Sequence, residues 1–287
     1  MRSINSVYHA VSSPIDNLIT YNAIPGDYLS PDVLNPFIFL NHHGPQVFLP
    51  DNRGLPFGPH PHRGIETVTF ILQGDIKHKD SGGDESIINA GGIQWMSAGR
   101  GLIHAETCSD NFLKNGGNFE VLQLWINLPS IHKMKDPEYL GLQKDSIPAI
   151  KVNDKVVLNL LSGEFAGEKG PFDSVTKIFL SSIEMKESGE ISINIPHVKK
   201  VLLYVVKGEI SIGSSQVDAF NLIVLNHDGK SVDIKADSDS YLILGYADPL
   251  NETIAAQGPF VMNTEKELID AYRDYRAGKF GVWEESL

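Results

Sequence analysis

Gly58-Pro59-His60-Pro61-His62-Arg63-Gly64-Ile65-Glu66-Thr67-Val68-Thr69-Phe70-Ile71-Leu72 sets two histidines two residues apart, just ahead of a run rich in β-branched and aromatic residues. In an extended chain the side chains at i and i+2 leave the same face, so His60 and His62 aim together. A second stretch, Gly99-Arg100-Gly101-Leu102-Ile103-His104-Ala105-Glu106, repeats the device with His104 and Glu106. Two such pairs on two inward-facing strands of one small barrel supply four ligands to one ion. Three imidazoles and a carboxylate suit a borderline divalent metal such as Fe(II), Zn, Ni, Mn or Cu(II). A lone histidine is more often a hydrogen-bonded core or surface residue, but two spaced pairs in Gly-rich settings are poorly explained that way. Four protein ligands also leave positions open on an octahedral ion. A closed structural zinc site would more often be rich in cysteine, and this chain has one, Cys108.

Around these four residues the sequence offers further candidates. Glu66 shares the inward parity of His60 and His62 if no bulge intervenes, as a fifth ligand, a partner for a histidine, or a base. Gln123 lies on a later strand and is a candidate for the pocket wall and for substrate binding. Trp125, on the same strand, is a further candidate for the pocket wall, with core packing its favoured role. His42-His43 and His78 are candidates for the mouth of the cavity. Cys108, two residues past Glu106, reads as a partly buried thiol near the site.

The surrounding pattern is all-β. From about residue 36 to 128, short runs such as Thr67–Leu72 and Val121–Ile126 are separated by Gly, Asn, Asp and Pro, which predicts a sandwich or barrel. Residues 131 to 174 are richer in Lys, Asp, Gly and Pro, and place a boundary between two domains, 1–130 and 131–287. A second series of strands follows, including Glu190–Ile195, Val201–Val206 and Ser240–Leu244. Ile195-Pro196-His197 echoes His60-Pro61-His62 at a similar distance before a strand-ending glycine, which suggests a duplicated barrel. One helix is predicted, at the end: Thr264 and Glu267 form a capping box, Leu268, Ala271 and Tyr275 lie on or near one face, and Gly278 supplies the stop.

Composition narrows the function. With 287 residues the chain is long enough for two cores. Lys and Arg number 24 against 36 Asp and Glu, a net charge of −12, which disfavours direct binding to nucleic acid or an anionic membrane. No window approaches the apolar length of a membrane span and the N-terminus has no apolar core of a signal peptide, so a cytoplasmic protein is expected. A single cysteine fits a reducing compartment.

The segments Pro59–Thr69 and Gln94–Glu106 resemble the motifs of pirins, within the cupin superfamily. The likeness continues through Leu122–Pro129 and returns in Gly258–Thr264 and Ala271–Tyr275. It implies a bicupin: two double-stranded β-helix (jelly-roll) barrels with a short C-terminal α-helix, and one divalent metal, Fe(II) favoured, in the N-terminal barrel. The family's ligand positions fall on His60, His62, His104 and Glu106, the set that strand parity gives. Ile195 stands where the second barrel would need its first histidine, so that barrel is expected to be metal-free. Some pirins cleave quercetin with dioxygen. The resemblance therefore implies a quercetin 2,3-dioxygenase-like enzyme acting on a flavonol-like substrate and O2, with Glu106, then Glu66, as the base. The animal member implies the alternative, a non-enzymatic metal- or redox-sensing regulator that binds a protein partner. A metal-dependent sugar or keto-acid isomerase is a third class that four ligands alone permit.

Overall fold

The computed structural model describes residues 1–25 and 29–283. The chain divides into two compact units, each assembled from separate stretches of sequence. One comprises Met1–Val11, Ala23–Phe37 and Ile147–Pro249, and the other Ser12–Asn22, Ile38–Ser146 and Leu250–Leu287. This differs from the 1–130 and 131–287 division in both directions. The first strand, Ile4–His9, pairs antiparallel with Asn221–Leu225 and so belongs to the later barrel. The C-terminal helix α2 (Glu265–Arg276) belongs to the earlier one. Local composition marks linkers, but it carries no information about which distant strand completes a sheet.

In the unit built around Ile147–Pro249, a seven-stranded sheet runs in the order Ile4–His9, Asn221–Leu225, Lys200–Lys207, Ser240–Ala247, Phe179–Met185, Val156–Ser162, Ala149–Asn153. A four-stranded sheet runs Glu190–Asn194, Ser231–Ala236, Glu209–Ile212, Ser215–Asp218. Alternate residues of both sheets meet in one aliphatic cluster that includes Ile191, Ile193, Ile195, Val201, Leu203, Val205, Ile210, Val232 and Ile234. Ile195 is fully buried there, whereas His197 is exposed. Each buried aliphatic side chain stabilises by about 1.5–3 kcal/mol, so hydrophobic packing fills the space between the two hydrogen-bonded sheets.

The other unit has the same two-sheet plan with a different interior. Its seven-stranded sheet runs Glu138–Leu142, Ile93–Ser97, Ile65–Gln73, Gly117–Asn127, Phe37–Phe48, Thr20–Ile24, Val11–Ser12. Its four-stranded sheet runs Phe57–His62, Leu102–Thr107, Asp75–Asp80, Glu85–Asn89. Apolar residues fill two zones, one around Leu18, Phe48, Ile71, Phe112 and Phe119, the other around Ile38, Ile65, Met96 and Leu102. A short helix not anticipated from sequence, α1 (Asp110–Asn115), is capped by Ser109, whose Oγ accepts from Phe112 N at 3.1 Å. Asp75 holds that cap by accepting from Ser109 N at 2.7 Å and from its Oγ at 2.5 Å. Cys108 is buried against the first apolar zone, and burial, then Asp75, pushes its thiol pKa up to about 12. It is therefore an inert packing residue.

The predicted capping box is present, with Thr264 Oγ1 accepting from Glu267 N and the Glu267 carboxylate accepting from Thr264 N. Leu268 and Ala271 are the buried residues of α2. No helix among the described residues is long and apolar enough to cross a membrane. Because the interior around Ile195 is filled by aliphatic side chains, Ile195→His will not create a second metal site. It will lower unfolding stability by about 2–5 kcal/mol, through lost packing and a buried imidazole without partners, which urea denaturation reads directly.

Candidate metal centre

The four-stranded sheet positions the histidines. His60 and His104 are direct cross-strand partners, and His62 sits one same-face step further along, opposite Leu102. Their rings gather with centroid separations of 4.4 Å for His60–His104, 4.9 Å for His60–His62 and 5.0 Å for His62–His104. One nitrogen from each lies within 4.8 Å of the other two. His62 and His104 are each 1 % exposed, and His60 is half-buried at the open side.

Hydrogen bonding selects the nitrogens that face one another. His60 Nδ1 donates to Gly58 O at 2.8 Å and His62 Nδ1 to Pro259 O at 3.2 Å, which leaves the Nε2 lone pair of each ring available. His62 Nε2 and both ring nitrogens of His104 are buried without a hydrogen-bond partner. An unpaired buried polar atom costs about 1–3 kcal/mol, so nitrogens left this way around one point fit a divalent cation. Burial, followed by the neighbouring His60, lowers the His62 pKa to about 3. Burial, followed by His62, His60 and His78, holds His104 well below the usual imidazole value. Both rings are neutral at physiological pH, the state in which imidazole binds metal.

Glu106 shares the face of His104 but lies outside the three-histidine group. Its two carboxylate oxygens are taken up from the opposite sheet: Thr69 Oγ1 donates to Oε1 at 2.9 Å and Gln123 Nε2 to Oε2 at 2.5 Å. Thr69 and Gln123 are themselves cross-strand partners. Gln123 in turn accepts from Trp125 Nε1 at 3.4 Å. Trp125 is not merely core. It is half-buried, set edge-on to His62 at 5.0 Å and stacked on Phe39 at 4.4 Å.

Glu66 does not join the site. The four-stranded sheet ends at His62 and the seven-stranded one begins at Ile65, and Arg63-Gly64 turns the corner between them. Gly64 has φ +80°, and a Cβ there would lie 2.0 Å from Val261 O, so only glycine fits. The corner shifts parity by one residue. Ile65, Thr67 and Thr69 face inward, while Glu66 is buried on the opposite face of its strand.

The remaining histidines are placed elsewhere. His42 Nε2 meets Glu120 Oε1 at 3.0 Å, and His43 Nδ1 meets Thr20 Oγ1 at 2.9 Å. His78 pairs with Asp80 at 3.0 Å and stacks on Tyr139 at 3.9 Å, with its ring 5.5 Å from that of His104. Sequence reasoning missed Thr69, Tyr139 and the Pro259 carbonyl. Thr69 was legible in principle from its parity with Ile65 once the corner is recognised.

The Pirin family model matches residues 20–126, and the model of the Pirin C-terminal cupin domain matches residues 180–281. A pirin-like protein of Solanum lycopersicum is 37 % identical over 252 residues, covering 86 % of this chain and 82 % of its own. This chain belongs to the pirin family. A Pseudomonas aeruginosa protein whose name provisionally ascribes it quercetin 2,3-dioxygenase activity is 32 % identical over 268 residues, 93 % of this chain and 92 % of its own. The crystal structure of a quercetin 2,3-dioxygenase from Acinetobacter baumannii superposes with a TM-score of 0.92 at 33 % identity, over 98 % of this pirin and 99 % of that chain. A bacterial pirin from Escherichia coli in complex with nickel(II) shares the fold at a TM-score of 0.64 and 22 % identity, covering 85 % of this chain and 100 % of its own. The all-β bicupin class read from the sequence is the observed one.

Burial, then the adjacent His42, lowers the His43 pKa to about 4 from an ordinary 6.5. Between those values the unfolded chain binds a proton that the folded chain does not, so stability rises with pH and is lost on acidification. Across pH 6.5 to 4 this loss amounts to about 3 kcal/mol for His43. His43→Gln will flatten the urea-midpoint profile over that window by a comparable amount, and a profile parallel to wild type would contradict the assignment.

Proposed function

We propose that this pirin is a metal-dependent dioxygenase that cleaves a flavonol-like aromatic with dioxygen, using an ion held by His60, His62 and His104. The observation that carries the reading is the convergence of three imidazoles, among which His62 Nε2 and both ring nitrogens of His104 are buried without a protein partner. The likeness to proteins described as quercetin 2,3-dioxygenases supports the substrate class. When bound, the metal supplies Lewis acidity toward a flavonol hydroxyl and a path for electrons between substrate and dioxygen, which favours iron and excludes zinc.

The chain's own residues supply the rest. Glu106, two residues beyond His104 on the same face of its strand, takes the substrate hydroxyl proton onto a carboxylate oxygen. Thr69 and Gln123 fix that carboxylate in place before substrate arrives, so little reorganisation accompanies proton transfer. In this reading Glu106 serves as a base beside three histidine ligands, and its place on the face of His104 equally suits the fourth-ligand role that strand parity and the family resemblance give it. Trp125, backed by Phe39, offers a flat apolar wall next to His62 against which a planar ring can lie. Burial of His62, His104 and Glu106 keeps bulk water from the reacting atoms. The aliphatic barrel around Ile195 is the unmetallated half, and the one buried thiol, Cys108, suits a cytoplasmic setting.

Anaerobic reconstitution with Fe(II), metal analysis and an oxygen electrode test the proposal. Wild type should hold about one iron per chain and consume oxygen when quercetin is added. His62→Ala should lose both. Glu106→Gln should keep the iron and lose roughly 10²–10⁴-fold in turnover, the usual contribution of a general base. A well-occupied iron with no quercetin-dependent uptake would remove the dioxygenase reading, and loss of iron in Glu106→Gln would return Glu106 to the ligand set.

A further inference from the structure

The metal-bearing barrel is built mainly from Ile38–Ser146, yet several contacts that set its histidines come from the far end of the chain. We infer that the segment Pro259–Phe280 positions the His62 ring and the His104 strand, so that the metal centre is incomplete without the C-terminal stretch. This rests on the metal-binding part of the reading above and adds a requirement which that reading does not contain.

The segment docks first at the corner that follows His62. Pro259 O accepts from His62 Nδ1 at 3.2 Å, and Val261 N donates to Arg63 O at 3.1 Å. Lys133, 1 % exposed, fastens the same corner from below. Its ammonium donates to Gly64 O and Val261 O, each at 2.9 Å, and to Asn127 Oδ1 at 2.6 Å. Between these backbone contacts Phe260 is fully buried in a cluster with Met262, Leu268, Ala271 and Phe280, which ties the Pro259 carbonyl to α2.

Past α2 the chain returns to both ligand strands. Arg63, the residue after His62, lies with its guanidinium 4.6 Å from the centre of the Phe280 ring. Arg63 also donates to Asp274 Oδ2 at 3.1 Å and to Arg100 O at 2.6 Å. Ser81 Oγ donates to Phe280 O at 2.5 Å and accepts at 3.0 Å from the backbone N–H of Ile103, the residue before His104. Gly101 lies against the same ring, where a Cβ would be 2.6 Å from it. One aromatic residue near the end of the chain therefore braces the residue after one ligand and the residue before another.

The carbonyl on His62 Nδ1 does specific chemical work. A proton held on Nδ1 commits the lone pair to Nε2, the nitrogen that faces His60 and His104. Loss of such an outer partner typically costs 10–100-fold in metal affinity. A segment that only filled space would leave the tautomer untouched, and that difference makes the inference testable without metal or substrate.

The experiment uses the full chain labelled with ¹⁵N-histidine, metal-free at pH 8, with two-bond ¹H–¹⁵N correlations to read the His62 tautomer, followed by zinc(II) affinity from chelator competition. Wild type should show one His62 tautomer, protonated at Nδ1. Phe280→Ala should give mixed tautomers and roughly 10–100-fold weaker zinc binding, and Phe280→Tyr should restore both. Ser81→Ala, which releases only the His104 side, should weaken zinc with the His62 tautomer unchanged. An unaltered tautomer and zinc affinities within about twofold of wild type in Phe280→Ala and Ser81→Ala overturn the inference. If Phe280→Ala does not fold, the zinc affinity of Ser81→Ala alone decides it. Absence of zinc binding in wild type would sink the metal-binding reading instead, and the tautomers would still decide this one.

Discussion

The constraint from which the site follows is the burial of imidazoles whose facing nitrogens have nothing in the protein to bond. Desolvation keeps His62 and His104 neutral, and the hydrogen bonds to Gly58 O and Pro259 O turn the Nε2 atoms of His60 and His62 toward a shared point. Each orphaned nitrogen costs stability that the surrounding barrel must offset from its apolar zones. The sheets, the corner at Gly64 and the covering C-terminal segment can all be understood as what holds that unfavourable arrangement together. A strained or unsatisfied cluster persists only where its surroundings over-determine it.

Strand parity made the histidines legible. The i, i+2 spacing of His60 and His62 is a property of any extended chain, and the structure keeps it. The same argument failed for Glu66, two residues after the corner glycine Gly64, because parity does not survive a change of sheet. Arg63-Gly64 was the available warning, since a glycine inside a strand pattern often marks a bend or a close approach of backbone. Glu106 was legible by position but not by state. Nothing in its own segment tells that Thr69 and Gln123, both on the opposite sheet, take up its two oxygens.

The domain division illustrates the same limit at a larger scale. The composition between residues 131 and 174 does change, but neither unit is contiguous. Ile4–His9 finds its partner at Asn221–Leu225, and α2 closes on the barrel that carries the histidines. Strand pairing and helix docking over two hundred residues are decided by which edge or face is left uncovered, which is a property of the folded units and not of either segment. The capping box at Thr264, by contrast, is written in four consecutive residues, and the structure contains it.

The two barrels share a plan and divide its uses. Where the barrel around Ile195 points aliphatic side chains inward, the other points His60, His62, His104, Glu106, Thr69 and Gln123. A barrel with that many inward polar groups gives up much of the hydrophobic stabilisation its twin retains. It needs compensation that is specific to the polar groups: cross-sheet hydrogen bonds for the carboxylate and a backbone carbonyl for His62, with the remaining nitrogens left for the ion proposed above. Burial alone cannot supply these, because burial is what makes the unpaired groups costly. Both barrels draw on distant chain, but the one that carries the histidines has an interior whose unpaired nitrogens a cation would satisfy, and the aliphatic one has an interior that calls for none.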